Sequence, residues 1–379
     1  MSKKKSAKSQ TRLIVASSEH DPDMLYATRM SVPDPFIFLE QDGKRTIVLS
    51  DLEIDRGRRQ AQADEILPYS QFESELQGKA KKAPTFEKVL AHFLVKRRVH
   101  SAIVPDNFPL RYAEELGEMN ISVEAANGLF WPARETKTED ELRLMRRASS
   151  ITEKGMARAM EVLAACKARR NKKLDWFGRI LTSEMLRAEI DSAILHAGGL
   201  PANTIVAGGD QACDPHERGS GPLLADSLII LDIFPRDAGS GYYGDMTRTV
   251  VCGRASDKQR RLWEAVRDGQ ALALKKMKPG ADGLKIHNEV KQFFADQGFP
   301  TEVCDGRQTG FFHGTGHGLG LEIHEFPRFQ KTVFKPGQVI TVEPGLYYPG
   351  LGGVRIEDVA VVTQSGNRLI SKFEKRLEI

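Results

Sequence analysis

Apolar positions along the chain fall into two rhythms: short runs the length of a strand, and longer stretches that return every three to four residues, as on one face of a helix. Over residues 11–131 the runs RLIVAS, PFIFLEQ and RTIVLS come first. Asp42 and Gly43, between the second and third, are a strong hairpin signal because a two-residue turn needs residues that accept positive φ. TFEKVLAHFLVKRR then sets Phe86, Val89, Leu90, Phe93 and Leu94 on one helical face, and SAIVP reads as a further strand. This half is α/β material with no constellation of reactive side chains.

Near residue 135 the pattern changes. Pro132 interrupts it, and Thr138 with Glu141 spells a capping box ahead of Leu142 and Met145, so a new helix begins there. Helical patterns follow over about 139–168, 174–196, 256–276 and 283–297, interleaved with the β-rich runs TIVA, SLIILDIF, MTRTVVCG, QVITVEPG and VRIEDVAVVT. The expected organisation is a tail over 1–10, a smaller α/β domain over 11–134, and an α+β domain over 135–379 with mostly antiparallel strands. No internal repeat is visible.

Composition narrows the classes. Of the 379 residues, 40% are hydrophobic and 28% charged, which is the balance of a globular protein. No apolar run approaches the roughly 18 residues of a membrane span. The 55 Lys and Arg against 51 Asp and Glu leave a charge of +4, all of it supplied by Lys3, Lys4, Lys5 and Lys8. The remainder is neutral, so the expectation is a disordered basic tail and no nucleic-acid partner. The basic run over 167–173 reads as the exposed end of the first long helix and the turn after it, with cations where the helix dipole favours them. Cys166, Cys213, Cys252 and Cys304 are scattered without C-x-x-C spacing and read as reduced thiols. The Lys-rich start leads into only four apolar residues in a row, too few for an export signal, so the cytoplasm is expected.

Chemistry concentrates in the second half. Asp232 interrupts SLIILDIF, which reads as a buried strand, and a buried carboxylate must be paired, protonated or bound to a cation. Asp245 follows in GYYGDMTRTVV, after a Gly-rich stretch that reads as a hairpin turn; two carboxylates facing one cavity repel unless a cation lies between them. His313, His317 and His324 share the segment HGTGHGLGLEIHE, where the glycines argue against a helical metal pair. Glu343 in QVITVEPGLYY and Glu357 in GGVRIEDVAVV sit in strand-like apolar sequence. Four carboxylates and an imidazole are what a pair of divalent ions needs. His20, His92, His100, His196 and His287 carry no motif and read as structural. The aromatic pairs Phe311-Phe312 and Tyr347-Tyr348 read as the wall of a substrate pocket or, more commonly at strand ends, as packing.

The ordered set SLIILD, GDMTRT, HGTGHGLGLEIHE, TVEPGLY and VRIED resembles the pita-bread metallopeptidases, the family of methionine aminopeptidases, prolidases and aminopeptidases P. The resemblance covers the second half, and more weakly the first, which is similar to the small creatinase-like domain of the proline-directed branch. It implies a pita-bread catalytic domain whose two metal ions are held by Asp232, Asp245, His317, Glu343 and Glu357. Asp245 and Glu357 would bridge the ions, Asp232 would chelate one, and His317 with Glu343 would complete the other. His216, His313, His324 and Arg355 match positions that line the substrate site and assist proton transfer.

The implied activity is hydrolysis of the N-terminal Xaa-Pro bond of a peptide through a metal-bridging hydroxide, as an Xaa-Pro aminopeptidase or dipeptidase. Glu343 is the candidate general base, and His324 stabilises the tetrahedral intermediate or relays a proton to the leaving nitrogen. Manganese is the implied metal, with cobalt or zinc as alternatives, and a homodimer is the implied assembly. A creatinase-type amidinohydrolase, which uses this fold without metal, and a non-catalytic binding module are the competing readings; retention of all five ligand positions argues against both. One departure is visible: twelve residues separate Asp232 from Asp245, two more than is usual in the family, with Phe234, Pro235 and Arg236 among them. Two added residues preserve strand parity if one enters each arm or both join the turn, so both carboxylates can still face inward. At this altered hairpin Arg236 reads either as a substrate contact or as a solvated side chain, and the second is favoured.

Overall fold

Asp42 and Gly43 both take positive φ, 53° and 79°, and close a two-residue turn between Phe36–Gln41 (β2) and Lys44–Leu49 (β3). The computed structural model that contains this hairpin describes residues 10–78 and 82–379. The basic tail expected over 1–10 therefore lies, except for Gln10, outside the described residues. By internal contacts the chain divides into Met1–Pro132 and Ala133–Ile379. No helix among the described residues is long and apolar enough to cross a membrane.

In the first unit, β2 and β3 join Arg12–Ala16 (β1), Glu65–Pro68 (β4), Ser101–Val104 (β5) and Ser122–Ala125 (β6) in one sheet of order β4-β3-β2-β1-β5-β6. The hairpin register fixes which side chains share a face. Leu13, Val15, Ile37, Leu39 and Val48 pack on Val89, Leu90, Phe93 and Leu94 of the helix Phe86–Lys96, while Ile14, Phe36, Phe38, Ile47 and Leu49 pack on Met24, Phe130 and Trp131. Both faces are buried, which is why these strands read as apolar runs.

The second unit opens with the helix Glu139–Ala164 (α1 below), entered through the expected capping box: the Thr138 hydroxyl accepts from the Glu141 N–H, and the Glu141 carboxylate accepts from Thr138 N–H at 2.9 Å. Two expectations fail just beyond it. The helix stops at Ala164, and the basic run forms the first strand and first turn of a small meander, Lys167–Ala168, Leu174–Trp176 and Arg179–Ile180. The helix expected from 174 accordingly starts only at Ser183 and ends at His196 (α2), with the Thr182 hydroxyl as its cap. The cause is a tight turn at Phe177 and Gly178, with φ of 51° and 84°, which the Asp175 carboxylate closes by accepting from Gly178 N–H at 2.8 Å.

The rest is an antiparallel framework sandwiched by helices. Ile205–Gly208 (β7), Leu228–Ile233 (β8) and Met246–Val251 (β9) form one sheet. His317–Gly318 (β10), Glu325–Arg328 (β11), Val339–Val342 (β12) and Asp358–Val362 (β13) belong to another, and Gly345–Tyr348 pairs with Gly352–Arg355 as a hairpin. Period-2 alternation sorts β8: Ile229, Leu231 and Ile233 pack against α1 and α2, as do Met246 and Val250 of β9. Leu228, Ile230 and Asp232 face the other way. A second core on the helices Asp257–Lys276 and Gly283–Asp296 takes Ile340, Val342, Val354, Ile356, Ala360 and Val362. The side of β8 and β9 turned from α1 and α2 is therefore available for chemistry.

Candidate metal centre

Strand parity brings the acids together. Asp232 on β8 pairs in register with Thr247 on β9, and Asp245 lies two residues before Thr247, so Asp232, Thr247 and Asp245 share one face. The longer hairpin spends its extra length beside the site. Arg236 and Asp237 pair with Gly199 and Leu200, the buried Asp237 carboxylate accepts from Ser240 N–H at 3.2 Å, and Arg236 Nε donates to Gly241 O at 3.1 Å. Arg236 thus closes its own turn, where solvation or a substrate contact was expected.

The remaining ligand positions come from the second sheet. The N–H of Glu357, just before β13, donates to Thr247 O at 3.0 Å, and that of Glu343, just after β12, donates to Thr315 O at 2.8 Å. The backbone N–H of His317 donates to Thr341 Oγ1 at 3.0 Å. Gly316 permits this approach: a Cβ there would lie 1.9 Å from Thr341 O.

The five converging groups are almost all acceptors. His317 Nδ1 donates to Gly318 O at 3.1 Å, which leaves the Nε2 lone pair aimed at Glu343 Oε1, 3.2 Å away, and Asp245 Oδ2, 3.8 Å away. Thr247 Oγ1 stands 2.7 Å from both Asp232 Oδ1 and Glu357 Oε2, and its single proton serves one at a time. Glu357 Oε1 is buried with no hydrogen-bond partner among the described residues. Arg355 Nη2 donates to Asp232 Oδ2 at 2.8 Å. Burial first, then Asp232 and Glu343, pushes the Asp245 carboxyl far up; burial with Asp245 does the same to Glu357, and burial carries Glu343 up to about 7. Burial holds His317 down at about 4, so its ring is neutral.

Acceptors packed against acceptors, with one buried oxygen orphaned, are what a cation relieves. Asp245, His317 and Glu357 offer ligand atoms all within 4.8 Å of one another. The donor set, four carboxylates and one imidazole, fits divalent ions of the manganese, cobalt and zinc kind.

Around this floor lies a cleft of about 850 Å³ lined by all nine residues singled out in the sequence: His216, Asp232, Asp245, His313, His317, His324, Glu343, Arg355 and Glu357. His313 is half-buried; its Nδ1 donates to Gly314 O and its Nε2 accepts from the Tyr347 hydroxyl, both at 2.8 Å. Burial and then Arg355 hold its pKa down at about 3. The same hydroxyl accepts from Arg355 Nη1 at 3.1 Å, giving a chain from Arg355 through Tyr347 to His313. Arg355 Nη1 also donates to Pro215 O at 3.3 Å, tying the segment that carries His216. His324 stands exposed on the wall, edge-on to His317 with centroids 4.5 Å apart. Partial desolvation of its ring against the cleft and then His317 lower its pKa to about 4.

Thr247 and Tyr347 were not among the sequence candidates. Thr247 is two residues from Asp245, so period 2 alone points to it. Tyr347 was set aside as packing together with Tyr348, yet the two diverge: Tyr348 turns its hydroxyl to Pro300 O at 2.7 Å. Asn203, Phe234, Phe312, Arg328 and Lys331 complete much of the wall.

Comparison with known proteins gives three kinds of likeness. The sequence pattern of metallopeptidase family M24 matches residues 143–364. An Xaa-Pro dipeptidase of Pyrococcus furiosus is 32% identical over 248 residues, 64% of each chain, and one of Pyrococcus horikoshii is 29% identical over 301 residues, 77% of this chain and 79% of that one. The first match therefore spans less than two thirds of that relative's length. Among solved structures, an Xaa-Pro dipeptidase from Bacillus anthracis superposes with a TM-score of 0.80 at 23% identity, covering 98% of this chain and 95% of the other, a likeness of fold.

Proposed function

The chain belongs to metallopeptidase family M24, and from that premise we propose that it is a two-metal exopeptidase hydrolysing the bond between an N-terminal residue and a following proline. The observation that carries this reading is the buried convergence of four carboxylates and the His317 Nε2 lone pair, with Glu357 Oε1 left without a donor. The Xaa-Pro dipeptidases among its relatives support proline at the second position.

In this reading Asp245, Glu357, Asp232, His317 and Glu343 would hold the ions, with Asp245 and Glu357 shared, Asp232 on one side and His317 with Glu343 on the other. Bound there, two divalent ions supply the positive charge that makes water acidic near neutral pH and polarises the scissile carbonyl. Manganese is the proposed ion, with cobalt or zinc as alternatives. Glu343, half-buried where Asp245 and Glu357 are buried, takes the proton of the attacking water while Thr341 Oγ1 steadies its Oε1 from 3.2 Å. His324, neutral and facing the cleft, relays that proton to the leaving nitrogen of proline. The chain from Arg355 through Tyr347 to His313 orients the wall opposite, and His216 stands at its rim. The substrate's α-ammonium is drawn to the acidic floor, which makes the enzyme an exopeptidase. Arg328 and Lys331 on the wall offer positive charge to the carboxylate end of a short substrate. A cytoplasmic homodimer completes the reading.

The deciding experiment compares an Xaa-Pro dipeptide with an Xaa-Pro-Yaa tripeptide, using chelator-stripped protein before and after manganese is restored. Cleavage only with metal is expected, faster for the dipeptide. Silence on both substrates with two equivalents of metal bound refutes the activity.

A further inference from the structure

The loop 319–324 brings His324 to the cleft wall, and the side chain that closes it takes no part in the chemistry above. Glu325 is 3% exposed. Its Oε2 accepts from Leu321 N–H at 3.0 Å, Glu322 N–H at 3.3 Å and Arg134 Nη2 at 2.8 Å, and its Oε1 accepts from Lys137 Nζ at 2.7 Å. Both cations are themselves buried, Arg134 at 4% and Lys137 at 7%, and Lys137 Nζ also donates to Arg134 O at 2.8 Å. The loop is wrapped directly on this carboxylate: a Cβ on Gly320 would stand 2.5 Å from it. At the strand end His317 pairs with Arg328 and Gly318 with Glu325, the register slipping between them. Arg134 also reaches Glu322 at 2.6 Å.

Burying three charges gives no stability that apolar packing could not match, but four directed donors on one carboxylate admit a single geometry. That matters here because GLGLEIH is rich in glycine and has wide conformational freedom unless it is tied. Fixing Glu325 fixes its neighbour His324, whose ring must stay edge-on to His317 to reach a substrate. We propose that Glu325, held by Arg134 and Lys137, is a positioning residue that sets His324 against the metal centre. The kinetic part of this inference rests on the exopeptidase reading; the structural part does not.

The test uses the full-length chain and Glu325→Gln, which keeps the shape but removes the charge that pairs both cations. On a dipeptide, kcat is expected to fall by about 10- to 100-fold, the penalty of a displaced catalytic group, with KM within about threefold. If Glu325 acts through His324, the double variant Glu325→Gln/His324→Ala is no slower than His324→Ala alone; fully additive losses overturn the proposal. Independently, in protein carrying 13C at histidine Cε1, the His324 signal, identified by its absence in His324→Ala, is expected to shift or broaden in Glu325→Gln while those of His100 and His196 stay in place. An unmoved His324 signal overturns the proposal whatever the kinetics. If the unaltered protein cleaves no Xaa-Pro bond, the functional reading fails and the spectrum still decides. Should Glu325→Gln not fold, Lys137→Met keeps Arg134 and both backbone donors on the carboxylate, and must move the same signal by a smaller amount.

Discussion

Replacing Thr247 with valine should weaken metal binding without disturbing the fold. Thr247 is fully buried on a strand, and valine has its shape and an equal preference for extended backbone. What is lost is one hydroxyl, 2.7 Å from Asp232 Oδ1 and from Glu357 Oε2 and 3.3 Å from Arg355 Nε. A hydrogen bond to a charged group is worth about 1.5–3 kcal/mol. With 1.4 kcal/mol per tenfold in an equilibrium constant, affinity falls by about 10- to 100-fold. Loss of an outer partner of a metal ligand independently suggests the same range. Titration calorimetry of the stripped protein with manganese, against a competing chelator, measures the change, and circular dichroism checks the fold. An affinity within threefold of the unaltered protein would refute the argument that Thr247 orients two ligands.

Arg248 spends all five of its donors inside the protein, on the carbonyls of Thr247, Glu357, Phe373 and Glu374 and on the Asp358 carboxylate at 2.7 Å. Arg248→Met should destabilise by about 3 kcal/mol, the low end for a broken buried pair because Lys375 still reaches Asp358 at 2.8 Å; a melting temperature lowered by less than about 3 °C would contradict this. Burial alone would raise the Glu325 carboxyl, but Lys137 and Arg134 hold it below the ordinary value. A depressed carboxyl stabilises above its unfolded pKa of about 4.3 and loses that contribution as pH falls through the folded value. The stability gap between the unaltered protein and Glu325→Gln should therefore narrow below about pH 4; a gap constant from pH 6 to pH 3 rules this out. At Gly244 a Cβ would lie 2.3 Å from Thr152 Oγ1 and 2.6 Å from Ala148 O, both on α1. Helix backbone cannot yield, so Gly244→Ala must push out the strand start that carries Asp245, and manganese affinity should fall at least tenfold; unchanged affinity would mean that Asp245 is dispensable.

The legible parts of this molecule are those set by local alternation. Asp232 stood out because the residues around it are apolar in both phases of the strand, and in the structure one phase, Ile229, Leu231 and Ile233, meets the helices while the other delivers Asp232 to the cleft. The parity argument for Asp245 needed the family's usual spacing and an even distribution of the two added residues, and the register of β8 with β9 puts Asp232 and Asp245 on one face. The stretch after Ala164 was illegible for a physical reason. Phe177 takes positive φ, a conformation bulky residues seldom adopt, so only Gly178 marked the turn and a helical reading ran through it.

The pairing of Glu325 with Arg134 and Lys137 shows where local pattern ends. The partners are 191 and 188 residues apart in the chain, and no periodicity relates them. Thr138 to Glu141 announces only the start of a helix, and HE in HGTGHGLGLEIHE draws attention to the histidine. Yet the carboxylate beside that histidine is more buried than any proposed ligand but Glu357, and it differs from Asp245 and Glu357 in being matched by cations of the chain itself. Two kinds of buried acid stand out in this unit. Asp358 and Glu325 are neutralised by Arg248 and Lys375, or by Arg134 and Lys137, and they hold the framework. Asp245 and Glu357 have no such partner in the salt bridges to Lys or Arg among the described residues, and it is this missing charge, more than the residue types, that marks where a cation belongs.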